Sequence, residues 1–340
     1  MYLDLLLHES KNKWYYLSMD FKLKDNQKFD VVGLGACGVD LHIQVPILPK
    51  PGDKVTSDKS SVSFGGVTAN NLIQAAKLGL STAWIGSLGN DDWGKKLIED
   101  FENNTIISFP IVIDTPTQQF YIITDTSETM MIGLPGVTKK LTADDIKKIL
   151  PPIIAGAQHF HTEVAMIPLE VALAGAEIAQ QNKVKVLLDI DGNPDYLINN
   201  ENLGTKEELR TLLKNTNVVK LSPSAASGLL KEQINANNIQ ELLEFGPQLA
   251  VVTLAEKGCL LADENKVVQV EGFSVKPIDT AGAGDAFMGG LSYGLLQEWD
   301  LKKVGQFANA CGAYKATKLG TRSSGTLQEI EQFIQACTID

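Results

Sequence analysis

The sequence predicts an α/β fold: a mostly parallel β-sheet with helices on both faces, plus a smaller β-sheet that acts as a lid. From residue 81 onward, short apolar runs typical of buried strands alternate with segments of helical periodicity. Segments 41–64 and 109–136 instead have strand patterning without helical periodicity, so they are expected to stand apart from the main sheet. No repeat or low-complexity linker interrupts the chain, which indicates one core domain.

Domain boundaries follow from the same patterns. Residues 29–40, 65–108 and 137–340 are expected to form the core, with the two strand-only segments as the lid. Residues 1–28 lack the uninterrupted apolar core and the cleavage site of a signal peptide. We interpret them as an appended, flexible arm, or as sequence upstream of a start at Met19.

Composition excludes several functional classes. The 340 residues carry a net charge of −11 and contain no long basic run, so a nucleic-acid surface is not expected. No apolar run reaches about 18 residues, the length needed for a membrane span. The four cysteines are scattered and form no CxxC pair, which indicates free thiols in a reducing cytoplasm rather than a zinc site or disulfides.

Periodicity places the individual elements. Strands are predicted at 29–35, 39–45, 82–86, 158–162, 184–190, 217–221, 249–254 and 267–270. Helices are predicted at 71–78, 93–101, 169–181, 208–213, 239–245, 307–318 and 327–337. Thr142 followed by Asp145 predicts a near capping box at the start of another helix. His159 and His161 lie two apart on one strand face, and without a third ligand nearby a structural role is preferred to a metal site.

A GxGxxG pattern at Gly33–Gly38 raises the alternative of a nicotinamide-dependent dehydrogenase. A dinucleotide fingerprint needs a helix directly after its glycines. Here residues 39–45 alternate like a strand and Pro46 follows, so the helix is missing and the dehydrogenase hypothesis is disfavoured. Asp40 follows the first predicted strand, 29–35, at its carboxyl end, where it could contact a ligand or form part of a turn.

Two glycine-rich turns precede helices. Gly65 and Gly66 allow close approach of a ligand to the backbone, and Asn70 offers a donor and an acceptor suited to a polyol, or caps the helix. Near the C terminus, residues 278–285 carry glycines at Gly282 and Gly284 before an apolar run. A helix start binds anions. Asp285 there acts either as a base toward an attacking hydroxyl or as a dipole-complementing residue of an ordinary helix start.

In this order, the motifs resemble those of the ribokinase-like (PfkB) carbohydrate kinases from about Asp30 to Ala336. The segment Gly65–Asn70 is similar to the family's N-terminal Gly-Gly…Asn signature. The segment Asp279–Phe287 matches its C-terminal signature. The resemblance implies a three-layer fold and ATP-dependent phosphorylation of a primary hydroxyl on a small-molecule substrate.

The resemblance also implies roles for individual residues. Asp285 would be the general base, beside an anion hole formed by the N–H groups of Ala281, Gly282, Ala283 and Gly284. The implied sugar-binding residues are Asp40, Gly65, Gly66 and Asn70. The implied ATP-binding residues are Thr253, Lys257, Gly258 and Asn309. Asp279 and Ser324 match the place of a monovalent cation such as K⁺.

The chain departs from the family pattern in three places. The family's Asn-x-x-Glu, which organises Mg²⁺, is replaced by Ser222-Pro-Ser-Ala225, so Asp189 and Asp191 become the candidate magnesium residues. Ala255 stands where glycine is common in the nucleotide turn, and Asp191 where asparagine is frequent.

Two other functions are open, and the second is permitted by the missing Asn-x-x-Glu. A nucleoside kinase would use lid aromatics such as Phe64, Phe120 and Tyr121 against a base. A non-catalytic sugar or nucleotide sensor on the same fold is a further alternative. Lid sheets with exposed edges often pair, so a homodimer through the lid is a candidate assembly.

Overall fold

The computed structural model describes residues 28–57 and 59–337 together with the backbone of residues 13–15. The strands are β1 Lys13–Tyr15, β2 Val31–Leu34, β3 Gly38–Gln44, β4 Lys59–Gly65, β5 Thr82–Gly89, β6 Ile107–Ile113, β7 Gln119–Thr124, β8 Thr129–Leu134, β9 His159–Val164, β10 Lys185–Ile190, β11 Val218–Leu221, β12 Leu249–Thr253, β13 Cys259–Ala262 and β14 Val267–Val270. The α-helices are α1 Val67–Lys77, α2 Asp92–Asn103, α3 Ala143–Ile154, α4 Leu169–Gln181, α5 Pro194–Asn199, α6 Lys206–Lys214, α7 Pro223–Leu230, α8 Ala283–Leu296, α9 Leu301–Ala316 and α10 Leu327–Cys337. Short 3₁₀ helices span Gly136–Lys140, Ile239–Phe245 and Ala255–Lys257.

A ten-stranded sheet forms the centre of the molecule, in the order β1-β6-β5-β2-β9-β10-β11-β12-β13-β14. Pairing is parallel from β6 through β12 and antiparallel at both edges. Successive residues of β10 point to opposite faces of the sheet. Leu188 packs with residues of α3 and α4, and Leu187 packs with residues of α8 and α9. Layers of helices therefore cover both faces, which confirms the predicted fold class.

A second, four-stranded sheet has the order β4-β3-β7-β8 and contains most of the two predicted lid segments. Their boundaries need correction. Residues 38–40 and Gly65 belong to the small sheet, whereas 109–113 lie in β6 and pair with β5 of the large sheet. The run 109–113 is buried throughout, as expected for an inner strand, and the sequence pattern alone did not separate it from the lid that follows.

Most of the described elements agree with the predicted ones. The ranges of α4, α10 and β14 match, and Thr142 with Asp145 forms a full capping box at the start of α3. The segment 239–245 is a 3₁₀ helix rather than an α-helix. Part of the predicted N-terminal arm, β1, pairs antiparallel with Ile111–Ile113, and the other residues before 28 lie outside the described part. None of the helices in the described ranges is long and apolar enough to cross a membrane.

Candidate active site

The turn before α8 brings a helix start to the carboxyl end of the large sheet. Gly282 begins the helix with a φ of 79°, and a Cβ added to it would lie 2.5 Å from the Thr321 carbonyl oxygen, so the position requires glycine. The amide of Ala281 donates to Asp279 Oδ1 (3.0 Å) and that of Ala283 to the Thr280 carbonyl (3.1 Å). Within the described chain, the amides of Gly282 and Gly284 donate no such bond. Part of the predicted anion hole is therefore engaged inside the turn, and the two glycine amides remain as its donors.

Asp285 lies in the first turn of α8 and is 9% exposed. Its Oδ2 accepts a hydrogen bond from Asn70 Nδ2 at 2.7 Å, so the structure joins the two glycine motifs that are far apart in sequence. Burial raises the pKa of Asp285 to about 8, with Asp189 acting in the same direction and Lys220 and Asn70 opposing it. A carboxylate of this kind is a stronger base than an exposed aspartate.

Lys220 on β11 is a functional candidate that the sequence reasoning missed. It is 1% exposed, and its Nζ donates to both oxygens of Asp189, at 2.9 and 3.1 Å. The ammonium lies directly below the glycine turn, 3.1 Å from the point where a Cβ on Gly284 would stand. Burial alone would lower the pKa of Lys220, but the carboxylates of Asp189, Asp191 and Asp285 raise it above its ordinary value. The charged ammonium is thus held beside the helix start. A lysine inside a buried strand was the available signal.

Arg322, also missed, contacts four parts of the site. Its Nε donates to Asn70 Oδ1 (3.1 Å), and its Nη2 donates to the Gly65 carbonyl (2.9 Å) and to Cys37 Sγ (3.3 Å). Its Nη1 forms an ion pair with Asp100 on α2. The guanidinium fixes the amide of Asn70 so that its oxygen faces Arg322 and its nitrogen faces Asp285.

The Gly-Gly turn is held by a buried acid at the end of β9. Glu163 accepts bonds from the Thr68 amide (2.9 Å), the Thr68 hydroxyl (2.6 Å) and the Ala36 amide (3.3 Å). Burial raises the pKa of Glu163 to about 7 although these bonds act in the opposite direction. Glu163, on another strand, therefore caps the start of α1, and the helix begins at Val67, four residues before the predicted start. Capping rules that consider only neighbouring residues in the sequence could not predict this start.

The predicted sugar residues come together next to this turn. Asp40 on β3 pairs across the small sheet with Ser63, and its Oδ2 lies 2.6 Å from the position of a Cβ on Gly65. Gly66 has a φ of 113°. Burial raises the pKa of Asp40, while His42 and Arg322 oppose the shift. Beside these residues a cleft of about 510 Å³ opens between the small sheet and the loop at residues 319–320.

The predicted nucleotide residues lie on the other side of the glycine turn. A pocket of about 310 Å³ is lined by Thr253, Ala255, Gly258, Asn309 and the turn residues Ala283 and Gly284. Lys257, by contrast, is exposed and does not line this pocket. Ala255 has a φ of 53°, which explains why glycine is the more common residue there. Asn309 Nδ2 donates to the Glu271 carbonyl (3.1 Å) and so positions the strand end at the pocket wall.

Of the two candidate magnesium residues, Asp189 and Asp191, the geometry disfavours Asp189. Both oxygens of Asp189 are occupied by Lys220, which argues against Asp189 as a direct ligand. Asp191 is exposed and carries charge near Lys220 and Asp285. Ser222, at the place of the family's asparagine, caps α7 by accepting from the Ala225 amide. In the described residues no group of three or more His, Cys, Asp or Glu side chains could hold a metal ion by itself.

The histidine pair has the preferred structural role. His159 Nδ1 and His161 Nε2 both contact the Ser292 hydroxyl on α8, at 2.8 and 3.0 Å. Burial lowers the pKa of each histidine to about 3, so both are neutral and join the sheet to α8.

The model of the pfkB carbohydrate kinase family matches residues 28–328. The chain belongs to this family. The ribokinase of Haemophilus influenzae is 28% identical over 312 residues, covering 89% of this chain and 97% of the relative. The ATP-dependent 6-phosphofructokinase of Thermoanaerobacterium thermosaccharolyticum is 26% identical over 299 residues, covering 87% and 90%. The solved structure of Arabidopsis thaliana ribokinase complexed with ribose and ATP superposes with a TM-score of 0.77 at 20% identity, covering 91% and 99%.

Membership in the pfkB family confirms the resemblance on which the sequence interpretation rests. The protein is a sugar kinase, a phosphotransferase with an alcohol group as acceptor. The large sheet with its helices, and the separate small sheet, agree with the fold of the ribokinase structures.

Proposed function

We propose that this pfkB-family kinase transfers the γ-phosphoryl group of ATP to a primary hydroxyl of a sugar or sugar-like substrate, with Asp285 as general base. The observation that carries the proposal is the position of Asp285. It follows directly on the Ala283–Gly284 wall of the 310 Å³ pocket, and it is bonded to Asn70, one turn from the Gly-Gly backbone. The carboxylate therefore lies where a nucleotide phosphate and a substrate hydroxyl would meet.

The residues divide the chemistry between them. Asn70 and Asp40 orient the substrate hydroxyl toward Asp285, whose carboxylate takes the proton as the oxygen attacks phosphorus. The amides of Gly282 and Gly284 and the positive end of α8 stabilise the charge on the transferring phosphoryl group. Lys220 adds a fixed positive charge below the turn. Mg²⁺, when bound, would neutralise phosphate charge, and Asp191 is the carboxylate that we assign to it.

The cleft side of the small sheet supports a sugar in preference to a nucleoside. Asp40, His42 and Gln44 alternate on β3, and the residues opposite them on β4 are Ser63, Ser61 and Lys59. His42, Gln44 and Lys59 line the 510 Å³ cleft. Of the aromatic candidates for a base pocket, Phe64 and Tyr121 lie on the opposite face of the sheet, and Phe64 stacks on Arg322. Phe120 and Ile122 on β7 pair with Asp40 and His42 and share their face, so the cleft face is polar on β3 and β4, as a polyol requires, and apolar on the neighbouring β7.

The opposite face of the small sheet supports a lid that pairs with a second copy. Leu41, Tyr121 and Ile132 form one cross-strand row there with Val62, which lies on the edge strand and also borders the 510 Å³ cleft. Val62 and Ile132 remain 50% and 48% exposed. We assign closure of the small sheet over the cleft to the exclusion of water from the transferring phosphoryl group. Sedimentation of the wild type and of Val62→Lys tests the dimer, since a charge in this row should give a monomer. The free cysteines, three of them buried, agree with a cytoplasmic enzyme.

A coupled ATP-consumption screen over hexoses, pentoses, keto-deoxy acids, sugar phosphates and nucleosides tests the substrate class. Turnover with a sugar or sugar acid is the expected result. Turnover with nucleosides alone would favour a nucleoside kinase. ATP and sugar binding without any turnover would favour a non-catalytic sensor.

A further inference from the structure

Lys315, near the end of α9, holds the segment that enters the glycine turn. Its side chain is fully buried, and its Nζ donates to the backbone carbonyl of Asp279 at 2.8 Å and lies 3.5 Å from Asp279 Oδ2. The amides of Ile278 and Asp279 both donate to the Ala316 carbonyl, at 2.7 and 3.1 Å. The end of α9 therefore fixes residues 278–279 by one ammonium and one carbonyl.

Asp279 connects this contact to the anion hole. Its Oδ1 accepts from the Ala281 amide at 3.0 Å and its Oδ2 from the Gly320 amide at 2.9 Å. Because the Lys315 ammonium contacts both the carbonyl and the carboxylate of Asp279, it helps to position the turn that carries Gly282 and Gly284. In this position Lys315 balances the negative charge of Asp279 under the phosphate-binding amides.

The same place is the one assigned by resemblance to a monovalent cation. Such an ion needs several oxygens free to surround it. Lys315 occupies the carbonyl of Asp279, and Lys77 Nζ occupies the carbonyls of Arg322 (2.9 Å) and Ser324 (3.0 Å). Among the candidate side-chain oxygens in the described residues, the buried hydroxyl of Ser324 has no partner, whereas both carboxylate oxygens of Asp279 have one. A cation beside a buried ammonium would also be repelled. The residues present therefore do not fit K⁺.

We propose that the Lys315 ammonium replaces the monovalent cation in this chain, so that the glycine turn is organised without K⁺. The proposal rests on the proposed function only for its measurement of ADP affinity. Thermal stability tests it separately, because a melt requires neither nucleotide nor sugar.

The test compares the wild type with Lys315→Ala and Lys315→Met in KCl and in tetramethylammonium chloride at equal ionic strength. The alanine variant removes the charge and opens space for an ion, whereas the methionine variant removes the charge but fills the space. Lys318→Ala, in an exposed residue of the following turn, is the matched control. ADP affinity is measured by calorimetry, and the midpoint of unfolding by thermal melting.

For the wild type and the control, ADP affinity in the two salts should differ by less than about fivefold. A factor of about five is the lower end of the usual coupling between two bound ligands, here K⁺ and ADP. Lys315→Ala should bind ADP about tenfold more weakly in tetramethylammonium and recover in KCl. Lys315→Met should weaken binding equally in both salts.

The melting midpoints should follow the same pattern, so they test the proposal even if no nucleotide binds and the proposed function itself fails. A wild type that needs K⁺ for ADP affinity or stability would overturn the proposal. So would a Lys315→Ala variant that behaves like the wild type in both salts. If neither variant folds, the wild-type salt comparison alone decides.

Discussion

At the scale of single residues, the site depends on buried charges that are held by specific partners. Asp285 has Asn70 as its direct donor, and Asn70 is in turn held by Arg322. Lys220 pairs with Asp189 below the same helix start. These contacts fix both the position of the base and the pKa at which it ionises.

The raised pKa of Asp285 predicts the pH dependence of the reaction. The base must be deprotonated, so kcat/KM should rise with pH and level off above a midpoint near 8. A profile from pH 6.5 to 9.5 at saturating magnesium measures it, with the residual activity of Asp285→Asn as the control that lacks the rise. A profile already flat at pH 6.5 would contradict the assignment.

Arg322→Lys tests the positioning of Asn70. Lysine keeps the charge but cannot reach Asn70, Gly65 and Asp100 together, because it lacks the guanidinium fork. We expect kcat to fall about 10²-fold through misplacement of the reacting groups. The pH midpoint should also move upward, since the bond from Asn70 lowers the pKa of Asp285.

The exposed Arg210 provides the matched control for this change. Arg210 pairs with Glu207 on the surface of α6, so Arg210→Lys should leave both kcat and the pH midpoint unchanged. A loss of stability in Arg322→Lys without a shift of the pH midpoint would mean that Arg322 has a structural role only.

At the scale of elements, the start of α1 depends on backbone that only glycine can adopt. Gly66 has a φ of 113°, and an added Cβ would lie 2.2 Å from the Ala36 carbonyl oxygen. Gly66→Ala should therefore lower the free energy of unfolding by about 1–3 kcal/mol and weaken sugar binding.

Gly192→Ala is a suitable comparison for this change. The atoms nearest to its added Cβ belong to Leu197, at ordinary contact distances from 3.5 Å, and its φ is not in the left-handed region. Denaturant melts and sugar titration measure both variants. Equal effects of the two substitutions would show that the turn tolerates a side chain.

Elements with a strong local signal could be predicted from the sequence. Helices α4 and α10 have clear periodicity, and the Asp279–Phe287 motif is read from consecutive residues. Arg322, Lys315 and Glu163 could not be assigned, because their partners lie on distant elements: Arg322 is 252 positions from Asn70, and Glu163 is 95 from Thr68. The edge of the lid was misplaced at 109–113 because strand patterning does not show which sheet a strand joins.

At the scale of the whole molecule, the two sheets divide the work of the kinase. In the proposed mechanism, the large sheet and α8 present the anion site, and the small sheet adds polar groups over the neighbouring cleft. Catalysis on this account needs both sides to meet at one carboxylate. The proposed mechanism therefore depends on Asp285 more than on any other residue.

The most direct test is the turnover of Asp285→Asn with the substrate found in the screen. The amide keeps the shape of the side chain and a partner for Asn70, but it cannot accept the proton. We predict that kcat falls by about 10²–10⁴-fold, the range expected for loss of a general base, while calorimetry shows nearly unchanged ADP affinity. Turnover close to that of the wild type would contradict the role of Asp285 and with it the proposed mechanism.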